Sequence, residues 1–398
     1  MIHMPHNSKE IEYVVGTSAH IDAMRNCTCF EPFSAVVLDF FSDVSSLLLQ
    51  QGKLYSDVVT FAFWCRKAAL LKLKDEFSSN KLRLGRGIVF HSTPSNVPVN
   101  FAFSFAAGLL AGNMNIVRLP AKPFLQVDII CSAVNEILEK YPLLKDYVVF
   151  LRHKPSKEIY DYFSSICAVR IVWGGDQTIA NWRKSPLAPR AKELAFADRY
   201  SLLVFNADEV ARCSDDVKFL QDFYNDTYFS DQNACTAPRM IIWTGTEIEK
   251  AKTVFWQNFH EFLINKYVLA PVQAVGKLHA FYKAAAAKPV KLIQDNDQLI
   301  TRIEVGSVTD DLLEYKYNSG FFFEYSAKSL EEIVPVCTEK CQTLAYYGFE
   351  RAELENFVKN SAPRGIDRMV PLGQTMNFSL IWDGYNLIDE LSRIVEIK

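Results

Sequence analysis

Residues 85–119, GRGIVFHSTPSNVPVNFAFSFAAGLLAGNMNIVRL, decide the fold. The apolar run at 87–90 predicts a strand, and a turn rich in proline and asparagine leads from it into a helix over about 100–110. Gly112-Asn113 ends that helix, and a second strand is predicted over 115–119. A strand, a helix and a further strand in this order are typical of a parallel sheet.

The same alternation continues beyond this stretch. The sequence predicts further elements in the order helix 126–140, strand 147–151, helix 156–165 and strand 168–173. We therefore expect a doubly wound parallel sheet, in which ligands bind beyond the carboxyl ends of the strands. The last strand stops at Gly174, Gly175 and Asp176, before a helix near 178–183, so this turn is a candidate loop for the phosphates of a cofactor. It lacks the full G-x-G-x-x-G spacing, and a tight turn between strand and helix explains it equally well.

The rest of the chain divides around this region. A second strand-rich unit is predicted from about 201–205 to about residue 345, and the chain from about 346 returns to helix and strand patterns. Residues 1–84 mix short strands with helical patterns, and the amphipathic segment 57–76 predicts one helix.

Composition excludes several classes of function. The 398 residues are 49% hydrophobic and 22% charged, and the net charge of -3 gives no electrostatic footprint for nucleic acid or for an anionic membrane. No apolar stretch reaches the roughly 18 residues of a membrane span, and no basic-then-apolar signal segment is present. We therefore expect a cytoplasmic protein with no membrane span and no nucleic-acid partner.

The nine cysteines are odd in number and form no Cys-x-x-Cys unit, which argues against a zinc or iron–sulfur site. Cys337 and Cys341 are four residues apart on a predicted helix, and we interpret them as packing neighbours rather than metal ligands. The sequence therefore predicts no metal centre.

Cys235 is the strongest candidate nucleophile. It lies in the polar, turn-prone segment FSDQNACTAPR (229–239), directly before the apolar run MIIW at 240–243. Such a segment delivers a thiol to the edge of a buried strand, and thiolates attack carbonyls and thioesters well. The alternative is a buried cysteine that packs as a small hydrophobic side chain.

Four segments together carry a family resemblance. They are GRGIVFHSTPSNVP (85–98), GLLAGN (108–113), DQNAC (231–235) and GQTMNFSLIWDGY (373–385). The chain resembles the LuxC-type fatty acyl-CoA reductase family of bacterial bioluminescence, a branch of the aldehyde dehydrogenase superfamily. The resemblance extends from about residue 85 to the C-terminus and is strongest at 85–125, 228–240 and 364–388, so residues 1–84 carry little family information.

The resemblance implies an α/β, aldehyde dehydrogenase-like fold with a small oligomerisation element. Residues 1–200 would hold an N-terminal segment and a Rossmann-type cofactor domain. Residues 201–345 would form an α/β catalytic domain with the nucleophilic cysteine, and residues 346–398 would complete the fold. Cys235 matches the acyl-accepting nucleophile, and Asn96 matches the amide that stabilises the oxyanion. One such donor is typically worth about 10²–10³ in rate. A turn-forming residue before Pro98 is the alternative role for Asn96.

The resemblance also implies a nicotinamide cofactor, NADPH, with NADH left open. Arg118 and Lys122 match positions that hold the adenosine ribose or its phosphate in relatives, and the turn at 174–176 (Gly174, Gly175, Asp176) matches the cofactor loop. Leu119 departs from the lysine that many aldehyde dehydrogenases carry just before the proline. Solvated loop charges remain the alternative for both cations.

One further departure bears on the direction of the reaction. Aldehyde-oxidising relatives need a glutamate that activates water to hydrolyse the acyl-enzyme. Alignment on the strand near 201–205 puts Ala195 in that position, with Glu193 two residues away. A reductase is better without this base, because hydrolysis would waste the thioester.

These residues predict an aldehyde-forming oxidoreductase. Cys235 would accept the acyl group from an acyl-CoA or a carrier-bound acyl thioester, and NADPH would reduce it to the aldehyde. Arg239 is a candidate cation beside the thiol, although an arginine paired with a surface carboxylate is an equal alternative. We interpret His91 as a structural histidine.

Two other functions remain open from the sequence. One is aldehyde oxidation, and the other is acyl transfer by a non-reducing subunit of a reductase complex. The resemblance further implies a homo-oligomer and an acyl-protein synthetase as a possible partner.

Overall fold

The computed structural model describes residues 11–77, 81–94 and 97–398. Asn96 lies outside these described residues. The strands are β1 Glu12–Val15, β2 Arg83–Gly85, β3 Ile88–Ser92, β4 Met114–Arg118, β5 Val148–Arg152, β6 Val169–Trp173, β7 Lys192–Phe196, β8 Tyr200–Asn206, β9 Pro238–Thr244, β10 Val290–Gln294, β11 Thr301–Val305, β12 Phe321–Ser326, β13 Cys341–Tyr347, β14 Arg368–Pro371, β15 Ile381–Trp382, β16 Tyr385–Asn386 and β17 Ser392–Ile394.

The α-helices are α1 Ser18–Met24, α2 Ala35–Gln51, α3 Ser56–Trp64, α4 Lys67–Phe77, α5 Asn100–Leu110, α6 Leu125–Leu138, α7 Lys157–Ile166, α8 Asp176–Arg183, α9 Ala207–Cys213, α10 Val217–Asp226, α11 Ile248–Leu263, α12 Pro271–Ala287, α13 Arg351–Ser361 and α14 Leu387–Leu391. Short 3-10 helices lie at Pro142–Tyr147, Tyr228–Ser230, Leu312–Tyr315 and Leu330–Val336. Within the described part of the chain, no helix is both long and apolar enough to cross a membrane.

The chain forms two compact units. The first contains the described residues up to Ala197 together with Phe378–Lys398, and the second contains Asp198–Asn377. This division differs from the predicted one beyond residue 346. Strand β14 belongs to the second unit because it pairs in parallel with β13, whereas Phe378 packs in the first unit, where its ring stacks on Phe103 at 4.7 Å between centroids.

The sheet of the first unit has the strand order β1-β5-β4-β3-β6-β7, and β3 to β7 run parallel. The chain moves outward from β3 to β4 and β5 and then crosses to β6 and β7 on the other side. The strand order therefore reverses between β3 and β6, which is the switch point at which doubly wound sheets bind ligands. The predicted parallel sheet is confirmed.

Helix α5 explains why β3 and β4 are held together. All of its residues from Phe101 to Leu110 are buried, apart from the half-buried Phe103. A helix that is apolar on every side is a core helix. The crossover from β3 to β4 through α5 thus lies within the core of the first unit.

The predicted helix over 57–76 is two helices, α3 and α4, separated by Cys65 and Arg66. The cause is visible in the burial pattern. Val58, Phe61 and Cys65 follow the spacing of one helical face, but the next buried residue, Leu70, comes five positions later. The apolar period therefore breaks after Cys65, and the helix breaks with it.

The sheet of the second unit has the order β10-β11-β12-β9-β8-β13-β14, and β10 is antiparallel to β11 while the other pairs are parallel. Every residue of the central strand β9 is buried. The helix predicted to carry Cys337 and Cys341 is wrong: Cys337 follows a 3-10 helix and Cys341 begins β13. Both thiols are buried, and the Cys337 thiol donates to the carbonyl oxygen of Ile333 at 3.3 Å.

Candidate active site

Cys235 lies in a turn that joins α10 to β9, and we call residues 227–237 the Cys235 turn. The turn begins with a 3-10 helix, Tyr228–Ser230, after which Asp231 and Gln232 take positive φ angles of 53° and 52°. Residues other than glycine rarely adopt this left-handed backbone conformation, and the conformational strain costs of order 1–3 kcal/mol for each residue. Such strain persists where neighbouring contacts fix the backbone, and it is common at functional sites.

Gln232 supplies those contacts. Its side chain is fully buried, and its amide oxygen accepts hydrogen bonds from the backbone N–H groups of Gly320 at 2.7 Å and Phe321 at 3.0 Å. Its amide nitrogen donates to the carbonyl oxygens of Pro238 at 3.0 Å and Phe321 at 3.4 Å. One side chain thus ties the Cys235 turn to the amino ends of β9 and β12.

Asp231 adds a second attachment. Its carboxylate accepts hydrogen bonds from the Tyr267 hydroxyl and from Gln273 Nε2, the latter at 2.6 Å. Its carbonyl oxygen accepts from the backbone N–H of Ser319 at 3.2 Å. The turn is therefore held from α12 and from the loop before β12, in addition to its own strand.

Cys235 itself is half-buried, and its carbonyl oxygen accepts a hydrogen bond from Ser201 Oγ at 2.8 Å. Other cysteines lie deep in the core, where burial raises the pKa of Cys131 and Cys167 to about 12. Those thiols match the alternative of a small hydrophobic side chain. Cys235 differs from them because it is half-buried and lies at the end of a fixed turn, so its role as a nucleophile stays a prediction.

Arg239 lies one residue into β9 and is 8% exposed. Burial lowers its pKa to about 10, and the negative charges of Cys235, Asp198 and Asp231 oppose this, so the guanidinium stays charged at neutral pH. Its Nη1 donates to the carbonyl oxygen of Tyr317 at 2.8 Å, while its buried Nε has no hydrogen-bond partner among the described residues. The predicted alternative, a pair with a surface carboxylate, is not the observed contact.

The predicted cofactor residues gather at the carboxyl edge of the first sheet. Arg118 ends β4 and Gly174 follows β6, so they lie at the strands on either side of β3. Burial lowers the pKa of Arg118, and its buried Nε has no hydrogen-bond partner within the described ranges. Thr93, which follows β3, donates from its hydroxyl to the Arg118 carbonyl oxygen at 2.7 Å.

Lys122 differs from Arg118. Its side chain is exposed, and its Nζ lies 5.2 Å from the centroid of the Phe124 ring. A cation over an aromatic face at this distance is weakly attracted to it. The position fits a solvated loop charge as well as a phosphate contact, so its cofactor role stays a prediction.

The two glycines after β6 differ in how much space surrounds them. A Cβ on Gly174 would approach Thr178 Cγ2 to 2.9 Å, so packing requires that glycine. Gly175 caps the N-terminus of α8 at φ −66°, and a Cβ there would meet no atom of the described residues within 4 Å, apart from its own chain neighbours. A tight turn therefore explains Gly174 but not Gly175, which leaves open space in front of the first helical turn, where Asp176 lies.

Glu193 is not available as a base. Its carboxylate accepts from Arg170 Nη2 at 2.6 Å and from Arg183 Nε at 2.8 Å, and Arg170 is almost fully buried. Ala195, two residues along β7, lies opposite Val172 of β6. The carboxylate nearest in sequence to the predicted water-activating position is therefore committed to an ion-pair network.

His91 is structural, as predicted. It is fully buried, with Nδ1 2.8 Å from Ser104 Oγ and Nε2 3.0 Å from Asn115 Oδ1. Burial lowers its pKa to about 4, so the ring is neutral at physiological pH.

The sequence predicted no metal centre. Among the described residues, one group of side chains (His260, Asp295 and Asp297) places its potential ligand atoms within 4.8 Å of one another. His260 Nε2 lies 2.7 Å from Asp297 Oδ2, which a hydrogen bond between the two side chains explains.

The sequence pattern did not predict three buried polar residues, namely Asp226, Gln232 and Lys277. All three are buried, with exposed fractions of 1% or less. Burial raises the pKa of Asp226 to about 6 and lowers that of Lys277 to about 7. Their partners lie far away along the chain, so no local pattern marks them.

The chain resembles solved structures in its fold and known proteins in its sequence. Its fold is that of the aldehyde dehydrogenases. A NAD-dependent benzaldehyde dehydrogenase from Corynebacterium glutamicum matches with a TM-score of 0.66 and 13% identity, over 97% of this chain and 94% of that one. A glyceraldehyde-3-phosphate dehydrogenase from Methanocaldococcus jannaschii, complexed with NADP, matches with a TM-score of 0.65 and 14% identity, over 95% and 91%. Identities this low establish the fold alone.

Within this class, the model of the LuxC acyl-CoA reductase family matches residues 48–273, which is more than half of the chain. The chain belongs to the LuxC acyl-CoA reductase family. A long-chain acyl-protein thioester reductase from Vibrio harveyi is 21% identical over 299 residues, or 74% of this chain, and the match spans 60% of that relative's length. The family match begins at residue 48, so part of the N-terminal region that we expected to carry little family information is family sequence.

Proposed function

We propose that this chain reduces an acyl thioester to an aldehyde, with NADPH as the reductant and Cys235 as the carrier of the acyl group. The observation that carries the proposal is the setting of Cys235. Its half-buried thiol lies in a turn fixed by the buried Gln232 and within the field of the buried Arg239. Membership of the LuxC family supports the same reaction.

The first step is acyl transfer. The Cys235 thiolate attacks the thioester carbonyl carbon, a bond forms between that carbon and the enzyme sulfur, and the bond to CoA or to the carrier thiol breaks. The departing thiolate takes a proton from solvent. Arg239 favours the reactive form of Cys235, because a neighbouring cation lowers the pKa of a thiol.

The oxyanion of this step needs hydrogen-bond donors. The backbone N–H of Cys235 and the side-chain amide of Asn96 are the proposed pair, and the role of Asn96 rests on the family resemblance. Donors that are already in place when charge develops lower the barrier without reorganisation.

The cofactor would lie at the switch point of the first sheet. Arg118, whose buried Nε has no hydrogen-bond partner among the described residues, fits an anionic group such as the 2′-phosphate of NADPH, and Lys122 would add a second positive charge. The open space at Gly175, before the N-terminus of α8, fits the pyrophosphate, and Asp176 would border it. When bound, NADPH supplies the hydride that reduces the enzyme thioester. The resulting tetrahedral adduct then releases the aldehyde and returns the Cys235 thiolate.

The ion pairs of Glu193 favour reduction of the acyl-enzyme over its hydrolysis. A base beside the acyl-enzyme would activate water and release a carboxylic acid. Glu193 is held by Arg170 and Arg183, and Ala195 carries no carboxylate. We infer that the acyl-enzyme survives long enough for hydride transfer.

The acyl donor would be an acyl-CoA or an acyl thioester on a carrier. The V. harveyi relative is named as a long-chain acyl-protein thioester reductase, which supports a protein-bound thioester. The proposal of an acyl-protein synthetase as a partner rests on the family resemblance. We further propose a homo-oligomer, as the family resemblance implies.

The deciding experiment is intact-mass analysis after incubation with a set of acyl-CoAs, followed by addition of NADPH. We expect an acyl adduct on the wild type that NADPH discharges as aldehyde. Cys235→Ala should form no adduct. Cys213→Ala is the matched control, since Cys213 is also half-buried and belongs to the same unit.

Other outcomes separate the alternatives. An adduct that forms but does not respond to NADPH would indicate an acyl-transfer subunit. Oxidation of free aldehydes without CoA would indicate an aldehyde dehydrogenase. No adduct from any donor would overturn the role of Cys235.

A further inference from the structure

A buried carboxylate holds the loop at residues 372–377, which follows β14 in the second unit. Asp226 Oδ2 accepts from the backbone N–H of Gly373 at 2.7 Å, and Asp226 Oδ1 accepts from the backbone N–H and the hydroxyl of Thr375 at 3.0 and 2.9 Å. Asp226 and Thr375 are both fully buried. Three hydrogen bonds to one charged group fix the loop strongly.

The loop is fixed at other points as well. The backbone N–H of Leu372 donates to the Tyr346 carbonyl oxygen at 2.9 Å, which extends the attachment to β13. Arg368 donates to the carbonyl oxygens of Thr375 at 3.3 Å and Asn377 at 3.1 Å. Gly373 has a φ of 86°, and a Cβ there would lie 2.7 Å from Asp222 Cγ, so the turn requires glycine.

This loop contacts the Cys235 turn through one side chain. The hydroxyl of Thr236, the residue after Cys235, donates to Met376 Sδ at 3.3 Å. Thr236 is buried, whereas Met376 and Cys235 are both half-buried. The thioether therefore lies against the side chain of the residue that follows Cys235 in the chain, and it is partly accessible, as Cys235 is.

Asp226 also lies at the base of the Cys235 turn. It is the last residue of α10, and the turn begins at the next residue, Thr227. One buried carboxylate thus stands where the turn leaves its helix and also holds the loop that carries Met376. Loss of its hydrogen bonds would release Met376 without removing any atom near the thiol.

We propose that Met376 contacts the first carbons of the acyl group on Cys235 and limits branching beside the thioester, and that Asp226 is the positioning residue for Met376. This inference rests on the proposed function of Cys235. A methionine suits the role because its flexible, polarisable thioether packs against varied apolar groups. The substrate class that it selects is the unbranched acyl thioester.

The test compares butanoyl-CoA with isobutyryl-CoA, which differ by a branch at the carbon next to the carbonyl. For Met376→Ala we expect the ratio of kcat/KM for isobutyryl over butanoyl to rise about tenfold, since small changes in an apolar pocket shift discrimination by roughly 10–200-fold. Met376→Trp should lower the ratio, and Met376→Leu should stay near the wild type. Met369→Ala is the control, because Met369 is a half-buried methionine of β14 that packs in a different apolar cluster of the unit.

Asp226 is tested by the same ratio. Asp226→Asn keeps the volume but turns an amino group toward N–H donors, and Thr375→Val removes the hydroxyl hydrogen bond alone. Both should raise the isobutyryl ratio in the direction of Met376→Ala, with Thr375→Val the smaller. A general loss of folding would lower both substrates equally and leave the ratio unchanged.

The outcomes separate this inference from the proposed function. An acyl adduct on Cys235 with the same branching ratio in all Met376 variants would overturn the role of Met376 and leave the reductase proposal intact. Absence of any adduct in the wild type would remove both.

Discussion

The two sheets of this protein are built alike but present their candidate groups in opposite ways. Each has a buried parallel centre, β3 in the first unit and β9 in the second. In the first sheet, Arg118 and Gly174 follow the carboxyl ends of strands. In the second, Cys235 precedes a strand, at its amino end. The rule that ligands bind at the carboxyl ends of parallel strands therefore predicts the positions of Arg118 and Gly174 but not that of Cys235.

The difference lies in what fixes each group. At the first edge, position follows from backbone, through the strand ends and the glycines after β6. At the second, position follows from polar side chains, because the buried Gln232 and the half-buried Asp231 hold a turn with two left-handed residues. Backbone placement tolerates sequence change, whereas side-chain anchoring makes the site depend on single residues.

Gln232→Leu should have the largest effect on this comparison. It leaves the buried N–H groups of Gly320 and Phe321 without their acceptor, and each such loss costs about 1–3 kcal/mol. We expect the free energy of unfolding to fall by about 3 kcal/mol, measured by urea denaturation, and acylation of Cys235 to slow. Thr246→Val, which removes an exposed hydroxyl contact in the same unit, serves as the control. A fall of less than about 0.5 kcal/mol in the free energy of unfolding would mean that the Cys235 turn keeps its conformation without the Gln232 side chain.

Lys277 should give the second unit a distinctive pH dependence. Its Nζ donates to the Gln298 and Leu299 carbonyl oxygens, and burial lowers its pKa to about 7. Above that pH the unfolded chain binds the proton and the folded chain does not, so stability should rise with pH until the unfolded lysine also loses its proton, near the ordinary lysine pKa of 10.5. In the wild type, we expect the free energy of unfolding to rise by about 2 kcal/mol between about pH 7 and pH 9. This rise should be absent in Lys277→Met. Parallel curves for the two proteins would contradict the lowered pKa.

Arg239→Met should reduce the reactivity of Cys235. Removal of the cation raises the thiol pKa, so less thiolate is present at neutral pH. We expect alkylation by iodoacetamide to slow about tenfold at pH near 7, with its pH midpoint moved upward. Arg239→Lys should recover part of the rate. A simple loss of folding would instead expose the buried thiols of Cys131 and Cys167 to alkylation.

Gly175→Ala should have the smallest effect and tests the first edge. Apart from its own chain neighbours, no atom in the described part of the chain lies within 4 Å of the added Cβ, so stability should change by less than about 0.5 kcal/mol. We expect NADPH affinity to fall a few-fold, measured by quenching of Trp173, which ends β6 with its ring stacked on Phe196. Gly174→Ala should instead cost stability through its contact with Thr178. Unchanged affinity in Gly175→Ala would leave the turn as a structural feature alone.

Local pattern predicted much of this molecule. The strands β3, β4, β5 and β6 and the helices between them lie where periodicity indicated, because each buries a regular apolar face. Cys235 stood out because a polar turn meets an apolar strand. Asn96 came from the resemblance and lies outside the described residues.

The anchors could not be predicted in this way. Gln232 reaches Phe321, 89 residues away, and Asp226 reaches Gly373, 147 residues away. A buried polar side chain has no periodic signature, since its role depends on which distant backbone groups lack partners. Likewise, Glu193 could be recognised as engaged only once Arg170 and Arg183 were seen to enclose it.

The chain leaves its first unit at Ala197 and returns to it at Phe378. Strand β17 then pairs with β2, and Asn113 donates from its side chain to the Leu391 carbonyl oxygen at 2.9 Å. On the ribosome, the first unit therefore stays incomplete until residues 378–398 have been made, and Trp64 and Phe103 lack their contact with Phe378 in the meantime. The second unit is continuous in sequence, so all of its strands are synthesised before residues 378–398. Vectorial synthesis thus gives the inserted unit time to fold before its host can close.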